Sequence, residues 1–276
     1  MMDALRVSMT ENERKLFSEL IELELGIRMP PVKKELLKAR LARRLHDNQL
    51  DNYTAYYKYL ISPAGRRNEL SIFVDAVTTN KTEFFREITH YDYLRSQVLP
   101  EFSGKRSIHC WSAACSTGQE PYSMAMLLDD YHRNNQTKYT YSILASDISR
   151  AVLQTACQAE YKRACIAPVP ESFRKQYLLR HKADPERFRI TPQLRSRVKF
   201  KQLNLLAIPD LGRTFDVIFC KNVLIYFNRA NQARVLNGLL PFLEPGGYLF
   251  VGHAEILFEF KDIFRNTAPS VYRRMV

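Results

Sequence analysis

The chain has 276 residues, 41 Lys+Arg against 29 Asp+Glu and a formal net charge of +12, which is length for one large domain or two modest ones. With 46% hydrophobic and 25% charged residues it has globular composition, excluding a disordered chain, and no stretch approaches the ~18 uninterrupted apolar residues of a membrane span. Met1–Thr10 has no signal-peptide core, and the five cysteines (Cys110, Cys115, Cys157, Cys165, Cys220) contain no CxxC pair, so free thiols in a reducing cytoplasm are expected rather than disulfides or a zinc site.

Residues 1–32 carry four basic and six acidic side chains. Thr10-Glu11-Asn12-Glu13 has capping-box spacing ahead of an apolar series (Leu16, Phe17, Leu20, Ile21, Leu23, Leu25), which predicts a helix stopping at Gly26. Met29-Pro30-Pro31 reads as a connector. Charge then changes sign: residues 33–44 hold Lys33, Lys34, Lys38, Arg40, Arg43 and Arg44 against Glu35 alone. Leu37, Leu41 and Leu45 at i+4 spacing predict a helix with those charges on its other face. Such a run is either a solvated face or a docking surface for nucleic acid or an acidic protein helix. Asp51–Ile61 predicts a short helix whose Tyr53, Tyr56, Tyr57 and Tyr59 suit packing better than base stacking. Arg66–Val77 predicts another, ending in the turn Thr78-Thr79-Asn80. The expected organisation is an all-helical domain over residues 1–85 and a linker over 86–105.

From Gly104 onward the pattern changes. Ser107–Ala113, Tyr141–Ala145, Val198–Leu203, Phe215–Cys220 and Tyr248–Gly252 are short apolar runs, most of them separated by helical stretches, which predicts βαβ units and a largely parallel, doubly wound sheet over residues 106–276. Between Tyr161 and Leu203 the alternation lapses. That stretch includes residues 162–201, with twelve basic and three acidic side chains, and a hairpin is expected there between Phe188-Arg189-Ile190 and Val198-Lys199-Phe200. It marks an insertion at about residues 170–200.

Doubly wound sheets bind ligands at the carboxyl ends of their strands. The first strand runs into Trp111-Ser112-Ala113-Ala114-Cys115-Ser116-Thr117-Gly118-Gln119-Glu120-Pro121, whose small residues allow close approach of a ligand. One glycine is too few for the dinucleotide fingerprint, and no Gly-Lys-Ser/Thr loop is present. The second strand ends at Asp147, suited to ribose hydroxyls, and the fourth runs into Asn222 and Tyr226. Each has a structural alternative: Asp147 or Asn222 as a helix cap, Tyr226 as a core tyrosine. Together they point to a nucleoside cofactor without phosphates.

The segments Thr78-Thr79-Asn80-Lys81-Thr82-Glu83-Phe84-Phe85-Arg86-Glu87, WSAACSTGQEPYS, ASDIS, FDVIFCKNVLIYF, PGGYLFVGHAE and VYRR resemble the CheR-type chemotaxis receptor methyltransferases over nearly the whole chain. The resemblance implies a Rossmann-like S-adenosylmethionine-dependent methyltransferase domain behind the helical domain. It also implies methyl transfer to glutamate side chains on chemoreceptor cytoplasmic helices, with S-adenosylhomocysteine as product and no metal. By that resemblance Asn80, Thr82 and Arg86 close over the cofactor, with Arg86 on the methionine carboxylate. Glu120 takes the ammonium, Asp147 the ribose, Asn204 and Leu205 the adenine. Asn222 and Val223 line the floor, and Tyr226 stands beside the departing methyl, so Arg86 and Tyr226 are the candidate catalytic residues. His109, His253 and the cysteines near the sheet are expected to pack.

The basic helix (Lys33, Lys34, Lys38, Arg40, Arg43, Arg44) is then a candidate receptor-binding surface, and a regulator could use the same charge. By the same resemblance the insertion at about residues 170–200 is a small antiparallel β-subdomain, which in some members of that family binds a receptor pentapeptide through a Gly-containing loop. This chain has no glycine between Gln119 and Leu211, so tether binding stays open. A nucleic-acid methyltransferase would need an Asn/Asp-Pro-Pro-Tyr/Phe turn or a Pro-Cys nucleophile, and neither is present. A non-catalytic adaptor is expected to have lost Arg86, Glu120 or Asp147, and all three remain.

Overall fold

The computed structural model describes residues 7–257 and 260–275; the first six residues of the Met1–Thr10 segment lie outside the described residues. Two compact units emerge, Met1–Thr79 with Tyr226–Gln232, and Asn80–Ile225 with Ala233–Val276.

In the first unit the capping box forms as the spacing predicts. Glu13 N donates to Thr10 Oγ1 (3.2 Å), and Thr10 N donates back to Glu13 Oε2 (2.9 Å), opening α1 (Glu11–Leu25). Gly26 ends it at φ 70°, where a side chain would be strained. Helix α2 (Lys34–Asp47) buries Leu37, Leu41, Ala42 and Leu45. Asn52 caps α3 (Tyr53–Ile61), and the predicted 66–77 helix proves to be two, α4 (Pro63–Asn68) and α5 (Leu70–Val77). Ser62 and Pro63 start the first of these early, and Glu69 at φ −118° interrupts the pair. Phe17 lies 5.6–6.4 Å from the rings of Tyr53, Tyr56, Tyr57 and Phe73, and Tyr53 and Tyr56 are fully buried. The tyrosine cluster is therefore a packed core. Tyr226–Gln232 joins this unit through an Arg28 N–H donated to Tyr226 O (3.0 Å) and an antiparallel bridge between Ile27 and Phe227.

The second unit begins with α6 (Ile88–Tyr93), which runs through a wider turn into α7 (Leu99–Glu101). Strand β1 (Ser107–Ala113), α8 (Gln119–Asn134), β2 (Thr140–Asp147) and α9 (Arg150–Gln158) follow as βαβα. The insertion holds β3 (Glu160–Lys162), α10 (Glu171–Tyr177), β4 (Leu178–Arg180), β5 (Arg187–Ile190) and α11 (Pro192–Arg195). The main sheet resumes with β6 (Val198–Gln202), β7 (Phe215–Cys220), α12 (Arg229–Leu239), β8 (Leu243–Val251), β9 (Phe264–Ala268) and β10 (Val271–Arg274). The main sheet has the order β6-β2-β1-β7-β8-β10-β9, parallel except for β10, which runs antiparallel to both its neighbours. Strand order reverses between β1 and β7, the position where such sheets open a crevice.

The expected hairpin is corrected. Val198–Gln202 pairs in parallel with β2, Ile143 opposite Val198, while β5 lies between β3 and β4 in a separate three-stranded antiparallel sheet. Thr191–Ser196 is no hairpin loop, because Pro192 starts α11 within it. Alternation in VKFKQ marks a half-exposed edge strand, and period two alone does not select a partner.

Candidate active site at the carboxyl edge of the sheet

Backbone strain gathers beyond the strand ends. Ala114 (φ 66°) and Ser116 (φ 49°) follow β1, Asn222 (φ 57°) follows β7, and Phe85 (φ 54°) and Glu87 (φ 58°) precede α6. Left-handed non-glycine residues cost roughly 1–2 kcal/mol each and concentrate at ligand sites. Gly118 completes the turn after β1 at φ +94°, where a Cβ would lie 2.9 Å from the Ala156 methyl and the Tyr161 hydroxyl.

Asp147 ends β2, with Oδ2 accepting from Ser116 N (2.8 Å) and Oδ1 from Ser149 N (3.0 Å). It therefore ties the β1 turn to the β2 end, while Ser149, not Asp147, caps α9. Ser116 Oγ donates to Asn80 O (3.0 Å), which brings the 80–87 segment to this edge. Thr82 and Arg86 are half-buried there, and Arg86 Nη1 donates to Lys81 O (3.0 Å). Asn204 closes the turn after β6, accepting from Leu206 N (3.0 Å), with Leu205 buried beside it.

Glu120 sits in the first turn of α8, where carboxylates are favoured by the helix dipole. Its Oε1 accepts from Ser112 Oγ (2.7 Å), and Oε2 lies 3.8 Å from Lys221 Nζ. Burial pushes this carboxyl above the usual glutamate range, against the opposing pull of Lys221 and Ser112.

Sequence reasoning missed the group around Lys221. Its Nζ donates to Arg86 O (2.8 Å) and lies 3.3 Å from Glu87 Oε2. Glu87 Oε1 accepts from Asn222 Nδ2 (3.3 Å) and His253 N (3.2 Å). Burial acts to raise the Glu87 carboxyl, but Lys221 and these donors outweigh it and hold the group below the usual range. Glu255, also buried, accepts from Asn222 N (2.9 Å), Ile225 N (3.2 Å) and Gly252 N, fixing the loops after β7 and β8 against each other. A Cβ at Gly252 would fall 2.6 Å from Asn222 Nδ2, so glycine is required by proximity. Val223 is half-buried next to Asn222.

His253 is exposed, and its ring packs edge-on against that of buried His90 at 4.9 Å. Glu87, His90 and His253 bring one potential ligand atom each to within 4.8 Å of one another, although the Lys221 ammonium already faces Glu87 there. Cys110, Cys115 and Cys220 are buried as expected, and burial raises each thiol, which suits packing rather than nucleophilic attack.

Residues 12–78 match the CheR methyltransferase all-alpha domain, and residues 80–272 match the CheR methyltransferase SAM binding domain. The chain belongs to the CheR methyltransferase family. A chemotaxis protein methyltransferase of Borreliella burgdorferi is 32% identical over 98% of this chain and 96% of its own length. Chemotaxis protein methyltransferase 1 of Pseudomonas aeruginosa is 35% identical over 91% of this chain and 92% of its own. This CheR chain is thus an S-adenosylmethionine-dependent methyltransferase with a helical front unit and a Rossmann-like sheet.

The donor set fits that cofactor. A half-buried carboxylate with unused acceptor capacity (Glu120), a strand-end aspartate (Asp147) and a guanidinium (Arg86) belong to one unit, with no phosphate-binding glycine loop among them. On α2, Lys34 pairs with Glu11 (3.0 Å), Lys38 with Glu35 (3.9 Å) and Arg43 with Asp47 (3.7 Å). Arg44 forks onto buried Glu69 (2.8 and 2.9 Å), and Arg40 donates to Val77 O and Thr79 Oγ1. Lys33 is half-buried at the start of the helix, and Arg43 is the most exposed of these cations. No helix among the described residues is long and apolar enough to cross a membrane.

Proposed function

We propose that this cytoplasmic enzyme methylates glutamate side chains on the cytoplasmic helices of chemoreceptors, giving glutamyl methyl esters and S-adenosylhomocysteine. What carries the reading is the match to both CheR domains, in order, at residues 12–78 and 80–272. The sequence pattern divides the chain into a helical domain at 1–85, a linker at 86–105 and a methyltransferase domain at 106–276, whereas the compact units part between Thr79 and Asn80.

When bound, S-adenosylmethionine supplies a methyl group already activated on a sulfonium. Arg86 holds the methionine carboxylate by a charge-assisted contact, and Glu120 holds the ammonium. Asp147 takes the ribose hydroxyls, and Asn204 and Leu205 frame the adenine. Asn222 and Val223 form the floor, Asn80 and Thr82 cover the cofactor, and Tyr226 stands beside the departing methyl. The acceptor glutamate is anionic at neutral pH and needs no general base. The cofactor's methyl would pass to that carboxylate oxygen and leave a neutral thioether, so that opposite charges would cancel. Positioning and water exclusion supply most of the acceleration. This accounts for a site without a His/Asp or Cys/His dyad.

The receptor helix meets the cations of α2: Lys33, Lys34, Lys38, Arg40, Arg43 and Arg44. Arg40 is committed to the Val77 carbonyl and Arg44 to buried Glu69, whereas Lys34, Lys38 and Arg43 pair with exposed carboxylates, so these three and Lys33 carry most of the contact. A regulator could occupy the same face. The test is transfer of radiolabelled methyl to receptor-containing membranes, followed by mild base. Base-labile label is expected; base-stable label overturns the glutamyl ester.

A further inference from the structure

Lys221 follows the last residue of β7, and its side chain is only 1% exposed. An ammonium so far from water is retained only where it is paired and hydrogen-bonded. Here it meets two carboxylates and a carbonyl: Glu87 Oε2 at 3.3 Å, Glu120 Oε2 at 3.8 Å and Arg86 O at 2.8 Å. The rings of Tyr91 and Phe219, each centred 5.3 Å away, wall it in.

The two carboxylates are served unequally. Glu87 accepts from Asn222 and His253 and faces both Lys221 and His90. Glu120 has a short bond from Ser112 on one oxygen, and its other oxygen stands too far from Nζ for a direct hydrogen bond. The ammonium thus lends Glu120 its charge without filling its outer acceptor positions. We propose that Lys221 is a positioning residue for cofactor binding: it keeps Glu120 ionised with acceptor capacity to spare, and by gripping the Arg86 carbonyl it fixes the turn that carries the Arg86 guanidinium.

The assignment rests on the reading of Glu120 as the ammonium holder. Every group facing Glu120 bears on its charge. Lys221 from the end of β7 is the strongest favourable one, followed by Ser112 from β1. Glu87 opposes ionisation and Arg86 favours it, both from the segment before α6. Tyr91 and the thiols of Cys115 and Cys220 also sense Glu120, and burial raises all three.

Calorimetric titration of S-adenosylmethionine from pH 5.5 to 8.5 tests this in Lys221→Met, Lys221→Gln and Lys221→Arg, with folding checked by circular dichroism. Removing a charge this close shifts a carboxyl by about one unit or more. In the two neutral variants the acid limb of the affinity profile is therefore expected about one pH unit higher. Affinity falls by up to about tenfold at pH values below the limb and converges on the wild-type value above it. Lys221→Arg keeps the charge and is expected to keep the wild-type limb. An unmoved limb in a folded neutral variant, or a displaced one in Lys221→Arg, overturns the proposal. Glu120→Gln separates the two readings, since an unaltered limb there shows that Glu120 does not hold the ammonium.

Discussion

Each unit draws a glutamate out of solvent, Glu69 fully and Glu120 in part, and the two are treated in opposite ways. Glu69, 3% exposed in the helical unit, accepts a forked pair from Arg44 (2.8 and 2.9 Å) and the Tyr56 hydroxyl (2.9 Å). Glu120, at the sheet edge, receives Ser112 Oγ at 2.7 Å and a lysine at 3.8 Å. Burial penalises both, but only Glu69 has donors in ideal bidentate geometry. A saturated carboxylate fixes a core, whereas one left with spare acceptors at a strand end is prepared for a ligand. Asp129 belongs with Glu69: buried, it accepts from Tyr177 (3.0 Å), Tyr141 (3.4 Å) and Gln193 (3.3 Å), linking α8 to the insertion.

The sharpest way to break the contrast is Arg44→Met. It strands Glu69 with Tyr56 alone, and an uncompensated buried charge costs about 3–5 kcal/mol. Urea unfolding followed by the circular dichroism of the helices reads the loss. A change below about 1 kcal/mol would place this pair with surface ion pairs instead. Because Arg44 is also a proposed receptor contact, its receptor affinity has meaning only where the variant remains folded.

A second effect is nearly as large and depends on pH. His90 is 1% exposed, and burial, then Lys221, lower its imidazole to about 4, with Glu87 pulling the other way. The folded value lies below the unfolded one, so His90 contributes stability that is full above about pH 6.5. That contribution is lost as pH falls toward about 4, roughly 3 kcal/mol over the window. His90→Phe retains a ring to pack on Phe250, which lies 5.6 Å away, and cannot protonate. The difference in unfolding free energy between wild type and variant should vary with pH across that window and level off above it. A difference flat from pH 7 to pH 4 would mean that the imidazole titrates normally.

Glu120→Gln probes the other member of the contrast, and the expected signs reverse. Stability should hold within about 1 kcal/mol or rise, since a desolvated charge is removed while Oε1 can still accept from Ser112. S-adenosylmethionine affinity should fall about 10–100-fold, the worth of a charge-assisted hydrogen bond. A large drop in stability with intact affinity would turn the comparison around.

What the sequence made legible was local. Thr10, Glu13 and Gly26 mark helix ends through contacts three or four residues long, and Asp147 is visible because it ends an apolar strand, whereas Glu120 is marked only by the family resemblance. Lys221, Glu87 and Glu255 were not legible as a group. Lys221 meets the 86–87 segment across 135 residues, and no local period signals such a meeting. Val198–Leu203 is legible as a strand of the parallel sheet, but its alternation also fits a hairpin with Phe188–Ile190, because period two does not choose a partner.

The smallest effect tests whether a locally legible feature stays local. Thr10→Ala removes one side of the capping box while Glu13 keeps its bonds to Thr54 N (2.9 Å) and Thr54 Oγ1 (2.8 Å) at the start of α3. A lost cap of this kind costs about 1 kcal/mol. Glu13 is 7% exposed, and its carboxyl lies below the usual range because the donors on Thr10 and Thr54 outweigh its burial. The variant should therefore also lose part of the stability that Glu13 contributes above pH 4.5, with the difference shrinking as pH falls through the lowered value. Cofactor affinity belongs to the other unit and should not change. A Thr10→Ala variant that bound S-adenosylmethionine more weakly at full folding would show that the helical unit's stability reaches the sheet edge, and the division between a structural glutamate and a binding one would have to be redrawn.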